Sequence, residues 1–170
     1  MELSNKRKFV VTSDLLASQG QRFGNYFIDL VFQYVLIFLI SMIAAIISEL
    51  IDSDSFVVWL ENIGRFEEYI FGIIVMVFYY VIAESYFSRT IGKLITKTVV
   101  VDINGEKPES ATILKRTLCR LIPFNHFSFF GGNARGWHDS ISNTYVVSKE
   151  LFDAKKKQFY ELDEIGISQE

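Results

Sequence analysis

Cysteine is almost absent from this chain. Cys119 stands alone among 170 residues, which excludes an intramolecular disulfide framework. Two prolines and ten glycines are too few for a long flexible linker or a low-complexity segment. Charge of one sign is also lacking: the net value is −3, so no global basic character argues for nucleic-acid binding. The two histidines, His126 and His138, lie twelve residues apart with no Cys or acid at established metal spacing, so no metal site is expected. No phosphate-cradling glycine loop, nucleophile elbow or His-Glu-x-x-His run occurs. The chain reads as a non-enzyme without a cofactor.

Apolar residues are plentiful and gathered in blocks. Half the chain is hydrophobic and 16 residues are Phe, while 22% are charged, near the average for a soluble protein. From Leu30 to Ser48 there are 19 residues without a charge. A helix over about 26–48 would be long enough to cross a bilayer. A second run, Tyr69–Phe87, carries one charge, Glu84, close to its end. The first run is too long for a signal-peptide core and a second follows it, so it is read as an uncleaved span.

Charge asymmetry sets the orientation. Lys6, Arg7, Lys8 and Arg22 precede the first run; six acids and only Arg65 lie in Glu49–Glu68; twelve bases follow the second run. Positive flanks stay cytoplasmic. The expectation is a two-span hairpin in the inner (plasma) membrane, with both termini cytoplasmic and an acidic loop outside.

Beyond the second span the pattern turns to strands. "KTVVVDINGEKP" has a β-branched run ending in Asn104-Gly105, the favoured hairpin turn, and "NTYVVSKE" is a second strand-like piece. The two are expected to pair into a small hairpin-like sheet. Between them, about 110–122, a helix is predicted with Ser110 as N-cap. Ile113, Leu114, Thr117, Leu118, Leu121 and Ile122 form its apolar face, with Lys115, Arg116, Cys119 and Arg120 opposite. A basic amphipathic helix of this kind lies in the membrane interface. The uninterrupted apolar stretch Leu121–Gly132 is too short for a third span and reads as interfacial or shallowly re-entrant.

Two acids stand inside apolar runs. Asp29 is about two turns, or about 10 Å, into the first span, and Glu84 five residues before Arg89, about 7 Å into the second. A hairpin can bring them to similar depth. Two carboxylates in low dielectric must share a proton, bind a cation or find fixed partners. A proton or small-cation site at Asp29 and Glu84 is one reading; a static network with Arg120, Lys93 or Asn25 is the other. Arg22 and Asp139 are expected on the same side of the membrane, where they could lock the first span to the cytoplasmic segment.

Three pieces coincide: "RFGNYFIDL" opening the first span, "RTIGKLITKTVVVDINGEKP" after the second, and "GWHDSISNTYVV" before the last strand. Together they resemble the RDD family of small bacterial membrane proteins. The resemblance covers roughly Arg22 to Val147, and implies that Arg22, Asp29 and Asp139 are the family's arginine and two aspartates. It places Thr90, Gly92 and Lys93 in the family's loop and His138 in its histidine-aspartate pair. For activity it implies transport, which has been proposed for the family. Transport through two helices would require a homo-oligomer or a membrane partner. The reading from another class is a non-catalytic membrane subunit or adaptor that presents a cytoplasmic element to a partner protein. By organisation the chain divides into a cytoplasmic N-terminal segment (1–21), a membrane domain (22–150) and a charged cytoplasmic tail (151–170). The lysines Lys155–Lys157 read as part of a solvated tail.

Overall fold

The computed structural model describes residues 8–51, 55–125, 128 and 135–167. It is mostly helical. Two helices are long and apolar enough to cross a membrane, α1 (Gln19–Leu50) and α3 (Arg65–Phe87). A short helix α2 (Ser55–Asn62) lies in the acidic connection. At 1.5 Å per residue, the 32 residues of α1 extend about 48 Å, well beyond an apolar bilayer core of about 30 Å. The helix begins earlier than residue 26 because Ser18 and Gln21 form a capping box that satisfies its first amides.

The two ends of α1 are surfaced oppositely. From Val31 to Leu50, eleven large apolar side chains are exposed. In its first three turns the buried residues are polar: Arg22, Asn25 and Asp29, spaced to share one face. A soluble helix would bury the first set and expose the second. An exposed apolar surface of this extent marks a membrane or a partner.

Helix α4 (Ile91–Ile95) follows α3, and its N-cap Thr90 accepts the Lys93 amide. Strand β1 (Thr98–Val101) then pairs antiparallel with β2 (Tyr145–Ser148), with Val99 opposite Val147 and Val100 opposite Val146. The expected pairing of the two β-rich pieces therefore forms, but it is no hairpin. Asn104-Gly105 closes a local turn in which the Asp102 carboxylate accepts the Asn104 and Glu106 amides. Gly105 sits at φ +71°, and a Cβ there would meet the Phe9 and Phe152 rings at 2.8–2.9 Å. The chain after this turn returns as helix α5 (Ser110–Cys119), and α6 (Trp137–Ile141) precedes β2. The α5 N-cap is Glu109 rather than Ser110, and no side chain caps it.

A two-stranded ribbon is marginal alone, and here each face is covered. Val101 and Val147 pack with Phe9, Val11, Leu15 and Phe152 in one cluster; Val100 and Val146 pack with Ala17 and Ile113 in another. Alternation along the strands assigns the two faces. The N-terminal segment adds backbone bonds at the sheet, Val11 N–H to Ile103 and Ala17 N–H to Val146, each 2.9 Å. Helix α7 (Lys149–Ile167) brings Phe152 and Phe159 edge-on against Phe9. Its basic stretch is solvated at Lys155 and Lys157, as expected, but belongs to a helix docked on the sheet. Lys155 bonds Asp14 and Thr12, and Lys156 bonds Glu106 and the Gly105 carbonyl. Residues at both ends of the chain thus meet on one sheet.

Helix α5 is turned over relative to the sequence reading. Ile113, Arg116, Thr117 and Arg120 are buried, spaced i, i+3, i+4, i+7, while Leu114, Leu118, Leu121 and Ile122 are exposed. Arg116 and Arg120 face inward because buried carboxylates wait there, while Lys115 stays exposed.

Candidate ion-network site

Asp139 and Glu84 organise the site. Asp139, in α6, receives Arg22 Nη1 at 2.5 Å and a second guanidinium, Arg116, on its other oxygen. The Gly136 amide adds a bond of 3.2 Å. The expected Arg22–Asp139 lock is therefore present in the structure. Burial disfavours the Asp139 charge, but Arg116 and Arg22 overcome this and hold its carboxyl well below the usual carboxylate range.

Arg116 joins this half of the site to the next. Its Nε reaches Glu84 at 3.0 Å and its Nη1 also donates to Thr144 Oγ1 at 2.5 Å. Glu84, in the last turn of α3, additionally accepts Lys93 Nζ at 2.9 Å and Arg120 Nη2 at 3.0 Å. Arg120 lies over the Tyr80 ring, 4.0 Å from its centroid. Three cations around one fully buried carboxylate repel any further cation from it. The chain Arg22–Asp139–Arg116–Glu84–Lys93/Arg120 is continuous and ties α1, α3, α4, α5 and α6 together.

Asp29 is held differently. It accepts Tyr79 Oη at 2.7 Å, Thr90 Oγ1 at 2.6 Å and the Gly92 amide at 2.8 Å. All three donors are neutral. Tyr79 Oη in turn accepts the Ile91 amide, so Asp29 and Tyr79 together cap the start of α4. Gly92 is needed for space: a Cβ would stand 2.4 Å from the Asn25 carbonyl and 2.9 Å from Asp29 Oδ1. Asn25 continues the α1–β1 contact by donating to Thr98 Oγ1 at 3.0 Å and accepting from Thr96. The structure brings Asp29 and Glu84 to the same end of the apolar helices but gives each its own partners.

His138 is buried beside Asp139. Its backbone amide and Nδ1 both meet Asn125 Oδ1, at 3.1 and 3.0 Å. An amide oxygen only accepts, so Nδ1 carries the proton. Burial lowers the His138 pKa well below 6.5, Asp139 opposing this, and the ring is neutral. His126 lies outside the described residues, as do 127 and 129–132 of the stretch read as interfacial or re-entrant.

Sequence reasoning missed Arg116, which it placed on an outward basic face. The available signal was the pair Arg116 and Arg120, four residues apart, in a chain with acids inside both apolar runs. It also missed Tyr79 and Thr144, whose roles depend on contacts between distant segments. Next to Asp29 an apolar cleft of about 590 Å³ opens between α1 and α3, lined by Phe32, Leu36, Ile74, Phe78 and Ile82, with Arg89 and Thr90 at one end.

The fold and site define a class: a mostly helical protein whose two apolar helices are joined at one end by a continuous network of buried ions. Helices with this surface, and ions gathered away from it, suggest a membrane protein. The chain belongs to the RDD family, whose model matches residues 16–143. The match spans α1 to α6 and ends just before β2, so the Phe9–Phe152 layer lies largely beyond it. No curated protein and no solved structure matches the chain.

Proposed function

We propose that this RDD-family protein is a two-span hairpin of the inner membrane with cytoplasmic termini, acting as a non-catalytic membrane subunit or adaptor. The ion network locks its spans to a cytoplasmic platform made of the sheet, the N-terminal segment and α7, which a partner protein would engage. The observation that carries this reading is the fixed pairing of both organising carboxylates. Glu84 and Asp139 are each held by cations from separate elements, as a rigid joint requires and a carrier site does not. The hairpin is supported by Tyr79 and Phe32, which meet between α1 and α3 at 5.2 Å, near the same end as the network. The orientation rests on the bases that flank that end.

A specific observation favours the second reading, proton or small-cation transport by an oligomer. Asp29 is the one buried carboxylate among the described residues with neutral donors only. The deciding experiment is sodium and proton flux in proteoliposomes. The subunit reading expects no flux above that of empty vesicles. Flux that disappears in Asp29→Asn, with the variant still folded, would establish transport instead. Native mass measurement in mild detergent reports whether the protein forms the oligomer that transport needs.

Orientation has its own test. In a Cys119→Ser background, Asp54→Cys should react with an impermeant thiol reagent applied to intact cells, and Lys156→Cys should not. The reverse pattern would invert the protein and remove the cytoplasmic reading of Asp139.

A further inference from the structure

The ion network is unbalanced. Arg22, Lys93, Arg116 and Arg120 are buried bases, while Asp29, Glu84 and Asp139 are the buried acids among the described residues. Even with His138 left out of the count, four positive charges face three negative ones. Burying an uncompensated charge is costly, and proteins relieve that cost by pairing it.

The donors are also in excess. Apart from Arg135 Nε, four buried guanidinium nitrogens have no acceptor among the described residues, all on network arginines: Arg22 Nε, Arg22 Nη2, Arg116 Nη2 and Arg120 Nε. All three arginines, with Lys93 and Asn25, line one cavity of about 30 Å³. Asp29 lines it too, but its oxygens are already occupied by Tyr79, Thr90 and Gly92. The cavity holds about one or two water-sized bodies. That is too small for phosphate or sulfate and suits a monatomic anion. Water fits by size, and two molecules would offer four lone pairs, but they carry no charge. A halide accepts from every direction and supplies the missing negative charge.

We propose that the arginine-lined cavity between α1, α4 and α5 is a binding site for one small monovalent anion of the halide class, completing the buried network. This depends on the network geometry and not on the subunit reading: an anion can sit in a static joint or in a transporter.

The experiment uses the full-length protein in detergent, exchanged into gluconate buffer at constant ionic strength and titrated with chloride or bromide. Melting temperature should rise with halide and then follow the logarithm of its concentration, by roughly 5–10 °C at a hundredfold excess over half-saturation. Sodium and choline chloride should act alike, and sulfate should not act. Wild-type protein should also broaden the chlorine NMR line, and bromide should compete the broadening away. Arg120→Lys keeps a charge for Glu84 and loses the Nε donor, so half-saturation should rise about tenfold. Should that variant fail to fold, the wild-type line width decides alone. Equal melting in chloride and gluconate without line broadening would overturn the proposal and leave water as the acceptor. Stabilisation by sodium gluconate but not choline chloride would overturn it in favour of a cation. Half-saturation unchanged in a folded Arg120→Lys would place any halide elsewhere.

Discussion

Asp29 and Glu84 are both carboxylates buried near one end of two apolar helices, and they are stabilised by opposite means. Glu84 is surrounded by Lys93, Arg116 and Arg120. Asp29 is surrounded by two hydroxyls and an amide. The difference follows from what each holds. Glu84 fixes whole helices, and charge-assisted bonds are about twice as strong as neutral ones. Asp29 caps α4, a task that hydroxyl and amide donors match in geometry. A charge count alone would have paired the two acids.

Breaking the cationic side should do the most damage. Glu84→Gln strands Lys93 and Arg120 and leaves Arg116 to Asp139 alone, and removing one partner of a buried pair typically costs about 3–5 kcal/mol. Thermal unfolding in detergent should show this loss, and a loss under 1 kcal/mol would mean that water reaches these ions.

Gly92→Ala strikes the neutral side through sterics. The methyl must displace the Asn25 backbone or Asp29, and overpacking of this kind typically costs about 1–3 kcal/mol. Wild-type melting behaviour in this variant would show that α1 and α4 are further apart than described.

The Arg22–Asp139 pair sharpens the cationic side. Arg22→Ala and Asp139→Ala should each destabilise, and the double variant should lose less than the sum, with coupling of about 0.5–3 kcal/mol. Additive losses would mean the two side chains do not interact.

Asp29→Asn should be mild. No cation is stranded and the amide oxygen still accepts, so roughly 1 kcal/mol is expected, the value of a neutral bond. Its unfolding midpoint beside that of Glu84→Gln tests the comparison directly; equal losses would erase it.

A pH dependence is expected as well. His138 has a folded pKa below its unfolded value, so the stability of keeping it neutral is present above about pH 6.5 and is lost as pH falls below that. Asp139, also depressed, adds loss only near and below its unfolded value of about 4. Melting followed from pH 8 to pH 5 should decline for wild type and stay flatter for His138→Gln.

Much of the arrangement was legible from local order in the chain. The apolar runs mark α1 and α3 because spanning length and the absence of charge are local properties. The Val-rich pieces mark β1 and β2 for the same reason, and Arg22, Asp29, Asp139, Thr90, Gly92 and Lys93 stand in stretches that resemble the family. What could not be read was the direction in which polar faces turn. In α5 the sequence shows two faces but not the solvent of either. Tertiary structure decided that Arg116 and Arg120 turn inward, because Glu84 and Asp139 arrive there from α3 and α6. It decided equally that β1 pairs with β2 across 43 intervening residues (102–144) rather than across Asn104-Gly105. Local sequence determined which segments are apolar, helical or extended. Only the tertiary structure chose each buried charge's partners, since a counter-ion is defined by distance in space and these lie up to 117 residues apart.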